Sequence, residues 1–242
     1  MKVSLFVTCL ADQLSPRVGL ATVKLLRRLG CEVAFPRAQV CCGQPAWNAG
    51  YAADARTVAR GLLDAFAGAE HVVAPSGSCA GMIRHNYAEL FAGDRDAARA
   101  AAFAGTVVER SQFLVNVMQV TDVGASFPHR VAYHPSCHGT RLLGVGEEPL
   151  KLLRAVKGLE LVPLARAEDC CGFGGTFATK LDAVSAAMAD EKLEHVAGTR
   201  AEYLVGTDLG CLLHVGGRLS RRGRPVRPIH LAEVLAGGEE GA

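Results

Sequence analysis

The cysteines of this chain fall into two ordered sets that superpose on one another. Cys9, the adjacent pair Cys41-Cys42 followed by Gly43, and Cys79 make the first set. Cys137, the pair Cys170-Cys171 followed by Gly172, and Cys211 make the second. The gaps are 32 and 37 residues in the first set and 33 and 40 in the second, so matching cysteines are offset by 128, 129 and 132. Chance placement of nine cysteines rarely gives such a match. An internal repeat constrains the fold before any single residue does. Cys31 is the odd one out; it follows a helical pattern and opens a strand, the setting of a small buried hydrophobe.

The flanks repeat as well. Short β-prone runs at 3–8 and 131–133 lead to Cys9 and Cys137. Apolar residues at helical spacing run from Val18 to Leu29, with Gly30 placed as a C-cap. Strands at 32–35 and 159–162 precede the two Cys-Cys-Gly motifs, and amphipathic helices at 53–66 and 181–196 follow them. Strands at 71–74 and 203–205 lead to the last cysteine of each set, and helices at 80–90 and 212–219 come after. Strands alternating with helices imply a parallel sheet. The expected fold is therefore α/β: two pseudo-repeated parallel-sheet halves, 1–125 with a helical connector and 126–242. Each motif cysteine falls beyond the C-terminal end of a strand, the edge where ligands gather in open α/β sheets. The connector carries helix-like stretches at 97–104 and 111–120, and the Gly/Glu-rich tail 237–242 is expected to fray.

Length and charge narrow the function. The 242 residues suit one large or two small domains. A net charge of +2 gives no electrostatic case for nucleic acid or a membrane surface, and 6% aromatics leave few rings for base-stacking platforms. The N-terminal apolar run is too short for a signal peptide, and no run reaches a membrane span. The expected compartment is the cytoplasm, where thiols stay reduced and many cysteines point to metal or redox chemistry.

Four cysteines per half is the ligand count of a tetrahedral zinc site or an iron–sulfur cluster. Structural zinc usually brings two close Cys-x-x-Cys pairs, which are absent here. A multi-iron core accepts two adjacent thiolates on different irons, which favours iron–sulfur. The glycines after each pair permit positive φ and a close backbone approach, and Cys79 and Cys211 fall near helix N-termini, where a thiolate is favoured. The alternatives are a metal-free thiol–disulfide oxidoreductase, since adjacent thiols can exchange, and a zinc-binding structural scaffold.

The combined motifs Phe6-Val7-Thr8-Cys9, Cys41-Cys42-Gly43-Gln44-Pro45-Ala46, Pro75-Ser76-Gly77-Ser78-Cys79, His134-Pro135-Ser136-Cys137-His138, Cys170-Cys171-Gly172-Phe173-Gly174-Gly175 and Asp208-Leu209-Gly210-Cys211 resemble the lactate utilisation protein A family over nearly the whole chain. More distantly they resemble the cysteine-rich CCG domains of heterodisulfide reductase and of the glycolate oxidase iron–sulfur subunit. The resemblance implies an iron–sulfur redox subunit of a multi-protein L-lactate-oxidising system. It implies a cluster of the 4Fe-4S type, one or two per chain, and companion proteins, one of them ferredoxin-like. It implies a small carboxylate substrate. All eight motif cysteines are the expected ligands. The heterodisulfide reductase pattern ends Cys-x-x-Cys; here Ser76 and Asp208 stand where the earlier cysteine would be, leaving four cysteines per set and making either an alternative oxygen ligand.

Other residues near the motifs have possible roles. His134 and His138 flank Cys137 and could tune a cluster, relay protons or bind substrate. Arg141, one turn from Cys137, could hold a carboxylate. Asp208 also suits a helix N-cap. Gln44 and Asn48 lie beside the first pair, and Trp47 reads as packing. The arginines at 218, 221, 222, 224 and 227 make a basic run, read as a solvated face or an acidic partner's dock. No Walker loop or dinucleotide fingerprint is present.

Overall fold

Residues 1–237 are described in this computed structural model, so the tail expectation falls, from residue 238 on, outside the described residues. The first half holds β1 (Lys2–Leu5), β2 (Glu32–Ala34), β3 (Val72–Ala74) and β4 (Val107–Glu109). The second holds β5 (Arg130–His134), β6 (Glu160–Val162), β7 (Tyr203–Gly206) and β8 (Arg227–His230). Each set forms one sheet, ordered β2-β1-β3-β4 and β6-β5-β7-β8. Every pairing is parallel. The α/β repeat read from the cysteines is thus present in full.

Strand residues alternate between two cores, as a period of two requires. Tyr203 and Val205 face a middle core while Leu204 faces an outer one; Val73 faces the middle while Val72 and Ala74 face outward. The middle core is common to both halves: Val3, Leu26 and Val73 meet Tyr133, Leu152 and Val205 there. Burying a side chain of this size is worth about 1.5–3 kcal/mol, so this layer binds the halves together.

Terminal helices are exchanged across that layer. Leu231–Ala236, after β8, lies on Arg17–Arg28 of the first half. Arg28 Nη2 donates to the Leu235 carbonyl at 2.5 Å, and Arg17 pairs with Glu233 at 2.7 Å. Reciprocally, Arg110–Gln112 after β4 lies against Glu148–Arg154 of the second half. Helices Gly77–Gly81 and Cys137–Arg141 also meet, and closely: a Cβ on Gly77 would stand 2.8 Å from Gly139 Cα.

The helices expected at 53–66 and 181–196 occur as Ala52–Ala65 and Asp182–Gly198. Helix Arg17–Arg28 ends where Gly30 and Cys31 N–H groups bond back to the Arg27 and Leu26 carbonyls, the C-cap expected there. The connector differs from expectation: β4 stands between its helices, and the second of them is a short turn, Arg110–Gln112, running into a π-helical turn, Phe113–Val117. Cys31 is buried against Met118, Sγ to Sδ 3.8 Å, as a packing residue.

Candidate metal centre

Local sequence sets each cysteine at a strand end. Cys9 and Cys137 open the helices Cys9–Leu14 and Cys137–Arg141 that follow β1 and β5. Cys79 and Cys211 lie in the first turn of helices Gly77–Gly81 and Leu209–Arg221, which follow β3 and β7. Ser76 Oγ accepts from Cys79 N–H at 3.3 Å, and Ser136 Oγ accepts from Gly139 N–H at 3.0 Å. These caps satisfy backbone donors at the helix starts. The Cys-Cys-Gly pairs come from the loops after β2 and β6.

Gly43 and Gly172 turn those loops at φ +83° and +87°. A Cβ would stand 2.9 Å from the Ala55 carbonyl at Gly43 and 2.5 Å from the Ser185 carbonyl at Gly172. The motif glycine is therefore required twice, by dihedral and by space. Tyr87 donates to the Cys42 carbonyl at 3.1 Å, and Ser185 donates to the Gly172 carbonyl at 2.8 Å. Lys192 is buried and donates to the Arg166 and Ala167 carbonyls at 2.8 and 2.9 Å, fixing the approach to Cys170. Sequence reading did not single out these three positioning residues. The one available signal was a lysine on the apolar stripe of helix Asp182–Gly198.

All eight motif cysteines line a single cavity of about 230 Å³ between the halves. The Cys9 and Cys41 sulfurs are 3.5 Å apart. Thiol hydrogen bonds link Cys9, Cys41, Cys42 and Cys79 in order, and Cys137, Cys170, Cys171 and Cys211 in the same order. In each half the first cysteine of the adjacent pair takes the charge. Cys41 is held well below the ordinary thiol range, first by the Cys42 thiol and then by Cys9. Cys170 is held down first by Cys137 and then by Cys171. Cys9, Cys42, Cys137 and Cys171 are pushed up, first of all by donating to those two sulfurs. Cys211 is drawn to about 7, chiefly by the Cys171 thiol. Four thiolates cannot crowd together uncompensated, so a cation entering either set displaces protons.

The remaining expected residues divide. His138 faces the cavity with Nδ1 3.7 Å from Cys137 Sγ, and Gln44 and Asn48 also line it. His134 is buried with a ring nitrogen within 4.8 Å of the Cys171 and Cys211 sulfurs. Arg141 turns away and donates to the Glu168 carbonyl at 3.0 Å. Asp208 holds the N-cap position of its own helix, yet its carboxylate serves the other half. Oδ1 accepts from Ser76 Oγ at 2.6 Å and Ser78 Oγ at 2.7 Å, and Oδ2 accepts from Ser78 N–H at 3.1 Å. The two residues standing at the fifth-cysteine positions are thus bonded to each other across the pseudo-twofold. Trp47 packs beside the outer core of the first half. In the basic run, Arg218 and Arg222 pair with Asp190, Arg224 pairs with Glu194, and Arg227 lies 4.3 Å over the Tyr203 ring.

A family model described as a cysteine-rich domain, CCG, matches residues 3–84 and again 131–216. Lactate utilization protein A of Geobacillus thermodenitrificans is 56% identical over 236 residues, 97% of this chain and 98% of that one. The protein of the same name from Oceanobacillus iheyensis is 51% identical over 242 residues, 100% of this chain and 99% of that one. Among solved structures, a glutamate racemase from Francisella tularensis matches at TM-score 0.36 and 13% identity over 97% of this chain and 77% of its own. Repeat, motif order and full-length identity agree: the chain belongs to the lactate utilization protein A family and carries the CCG cysteine-rich domain twice.

Proposed function

We propose that this chain is an iron–sulfur redox subunit of a multi-protein system that oxidises L-lactate to pyruvate. The observation that carries the reading is the convergence of two four-cysteine sets on one cavity. Thiol exchange needs two sulfurs, and a zinc knuckle needs close Cys-x-x-Cys pairs; four thiols per half, with an adjacent pair in each, suit a cluster. Cys9, Cys41, Cys42 and Cys79 would hold one cluster, and Cys137, Cys170, Cys171 and Cys211 a second. When bound, 4Fe-4S clusters supply one-electron redox chemistry.

Oxidising lactate releases two electrons and two protons, so an acceptor is needed beyond this chain. A ferredoxin-like iron–sulfur protein is among the proposed companions, and the names of the relatives support a lactate system. Among the described residues no helix is long and apolar enough to cross a membrane; the cytoplasm is the proposed compartment on the strength of the many reduced cysteines. The chain's own part is to position thiolates, through the caps at Ser76 and Ser136 and the carbonyl anchors from Tyr87 and Ser185. Anaerobic purification with iron and sulfide analysis, followed by reconstitution with companion proteins and L-lactate, tests the reading. Iron with labile sulfide and lactate-dependent reduction are expected. An iron-free chain that resists reconstitution would return the choice to thiol exchange or zinc.

A further inference from the structure

One of the differences between the two halves near the thiols is fully buried. Phe6 and His134 each stand three residues before the first cysteine of their set, Phe6 just after β1 and His134 as the last residue of the equivalent strand β5. Both are 1% exposed. Phe6 sits edge-on to Phe66 at 5.9 Å, in an apolar layer that includes Cys42. His134 brings to the same place an imidazole whose Nδ1 and Nε2 are both buried, with no nitrogen or oxygen partner among the described residues and only the Cys211 thiol beside it to share a hydrogen bond. Burying an unpartnered polar group is unfavourable. The first half fills this position with phenylalanine at no such cost, so packing does not account for histidine. One ring nitrogen lies within 4.8 Å of the Cys171 and Cys211 sulfurs, which are themselves within that distance of each other. Among the described residues the first half has no such grouping.

We propose that His134 is a direct metal donor to the second cysteine set, giving that centre nitrogen-and-sulfur ligation while the first is all sulfur. The inference rests on the iron–sulfur reading above and adds an asymmetry to it. The second set then offers five donors for the four ligand positions of a 4Fe-4S cluster, so that His134, when bound, takes the position of one thiolate. A neutral nitrogen donor in place of a thiolate removes one negative charge from the centre and raises its potential, as histidine does in Rieske centres. The second centre is then the stronger electron acceptor of the two, which gives electron flow through the chain a direction.

The test compares full-length protein labelled with ¹⁵N-histidine with unlabelled protein, both reconstituted anaerobically, partly reduced and read by pulsed EPR. One centre is expected to carry the strong coupling of a metal-bound imidazole nitrogen, altered by the label and lost in His134→Phe, which copies the first half. His134→Phe is also expected to keep the other centre's signal unchanged. A centre with no strong nitrogen coupling, or with only the weak coupling of a hydrogen-bonded ring, overturns the proposal, as does coupling that survives in His134→Phe. Labelled His138→Ala, whose histidine also faces the cavity, is expected to keep the coupling, so the test stands even if His134→Phe does not fold; loss of the coupling in His138→Ala overturns the proposal. Iron analysis on the same samples separates the two levels: full iron without coupling sinks this inference alone, whereas no iron sinks the redox reading and this with it.

Discussion

Replacing Gly172 by alanine isolates what the motif glycine does. Its φ of +87° places any L side chain in the left-handed region, at a cost of about 1–2 kcal/mol. Space adds a second cost. The new Cβ would lie 2.5 Å from the Ser185 carbonyl oxygen, where ordinary contact begins at 3.4 Å, so about 0.9 Å must be made up. That oxygen is backbone within helix Asp182–Gly198 and yields only if the loop moves. Overpacking of this kind costs roughly 1–3 kcal/mol. The whole comes to about 2–5 kcal/mol by the same estimates. Gly175 is the control: its φ is +61° but nothing lies within 4 Å of its Cβ position, so Gly175→Ala should cost about 1–2 kcal/mol. Urea denaturation of the reduced, metal-free proteins measures the stability difference. Iron bound after reconstitution measures the effect on the site, and Gly172→Ala should lose iron from one centre. Equal stability loss in the two variants would refute the steric half of this reasoning.

Other perturbations follow from the same geometry. His230 is fully buried, its Nε2 shared between the Pro75 and Thr207 carbonyls at 3.1 Å, and burial above all lowers its pKa from 6.5 to about 3. Below pH 6.5 the unfolded chain takes up a proton that the folded one refuses, so stability falls as pH drops toward 3; at pH 5 the loss is about 2 kcal/mol, and His230→Asn should show a correspondingly flatter pH dependence in urea titrations. Removing Asp208 with Asp208→Ala strands Ser76 Oγ, Ser78 Oγ and Ser78 N–H at the junction of the halves and should cost about 3 kcal/mol, with Asp208→Asn milder; equal denaturation midpoints for Asp208→Ala and wild type would remove the cross-half cap from the account. In the reduced, metal-free protein the neighbouring thiols hold Cys41 and Cys170 well below the ordinary thiol range. Their alkylation should be independent of pH between about 5 and 8, read by mass spectrometry of the labelled peptides. A tenfold rise per pH unit at Cys170 would contradict the hydrogen-bonded thiolate.

Much of the site was legible because its logic is local. A cysteine just past a short apolar run, with serine three residues before a helix N–H, specifies a strand end and a cap within one segment. That is why both sets could be read and why both reach the strand edges. The elements that were missed depend on distant partners. β4 is three residues, Val107–Glu109, after an alanine-rich helix, too short to show alternation; its register comes from Val72–Ala74. The exchange of terminal helices depends on an apolar layer shared between halves, which no window of sequence contains. Tyr87 reads as one more apolar helix position until its hydroxyl is seen to reach Cys42, 45 residues away. Asp208 was read correctly as standing at a helix start, but the helix its carboxylate caps lies 130 residues earlier.

The central claim is that the eight motif cysteines hold iron. Its most direct test is iron and acid-labile sulfide per chain after anaerobic reconstitution, measured for the wild type and for the double variants Cys41→Ser/Cys42→Ser and Cys170→Ser/Cys171→Ser. Two centres predict matched iron and sulfide in the wild type and about half of each in either double variant. Zinc in place of iron, no metal at all, or iron unchanged by both double variants would contradict the account.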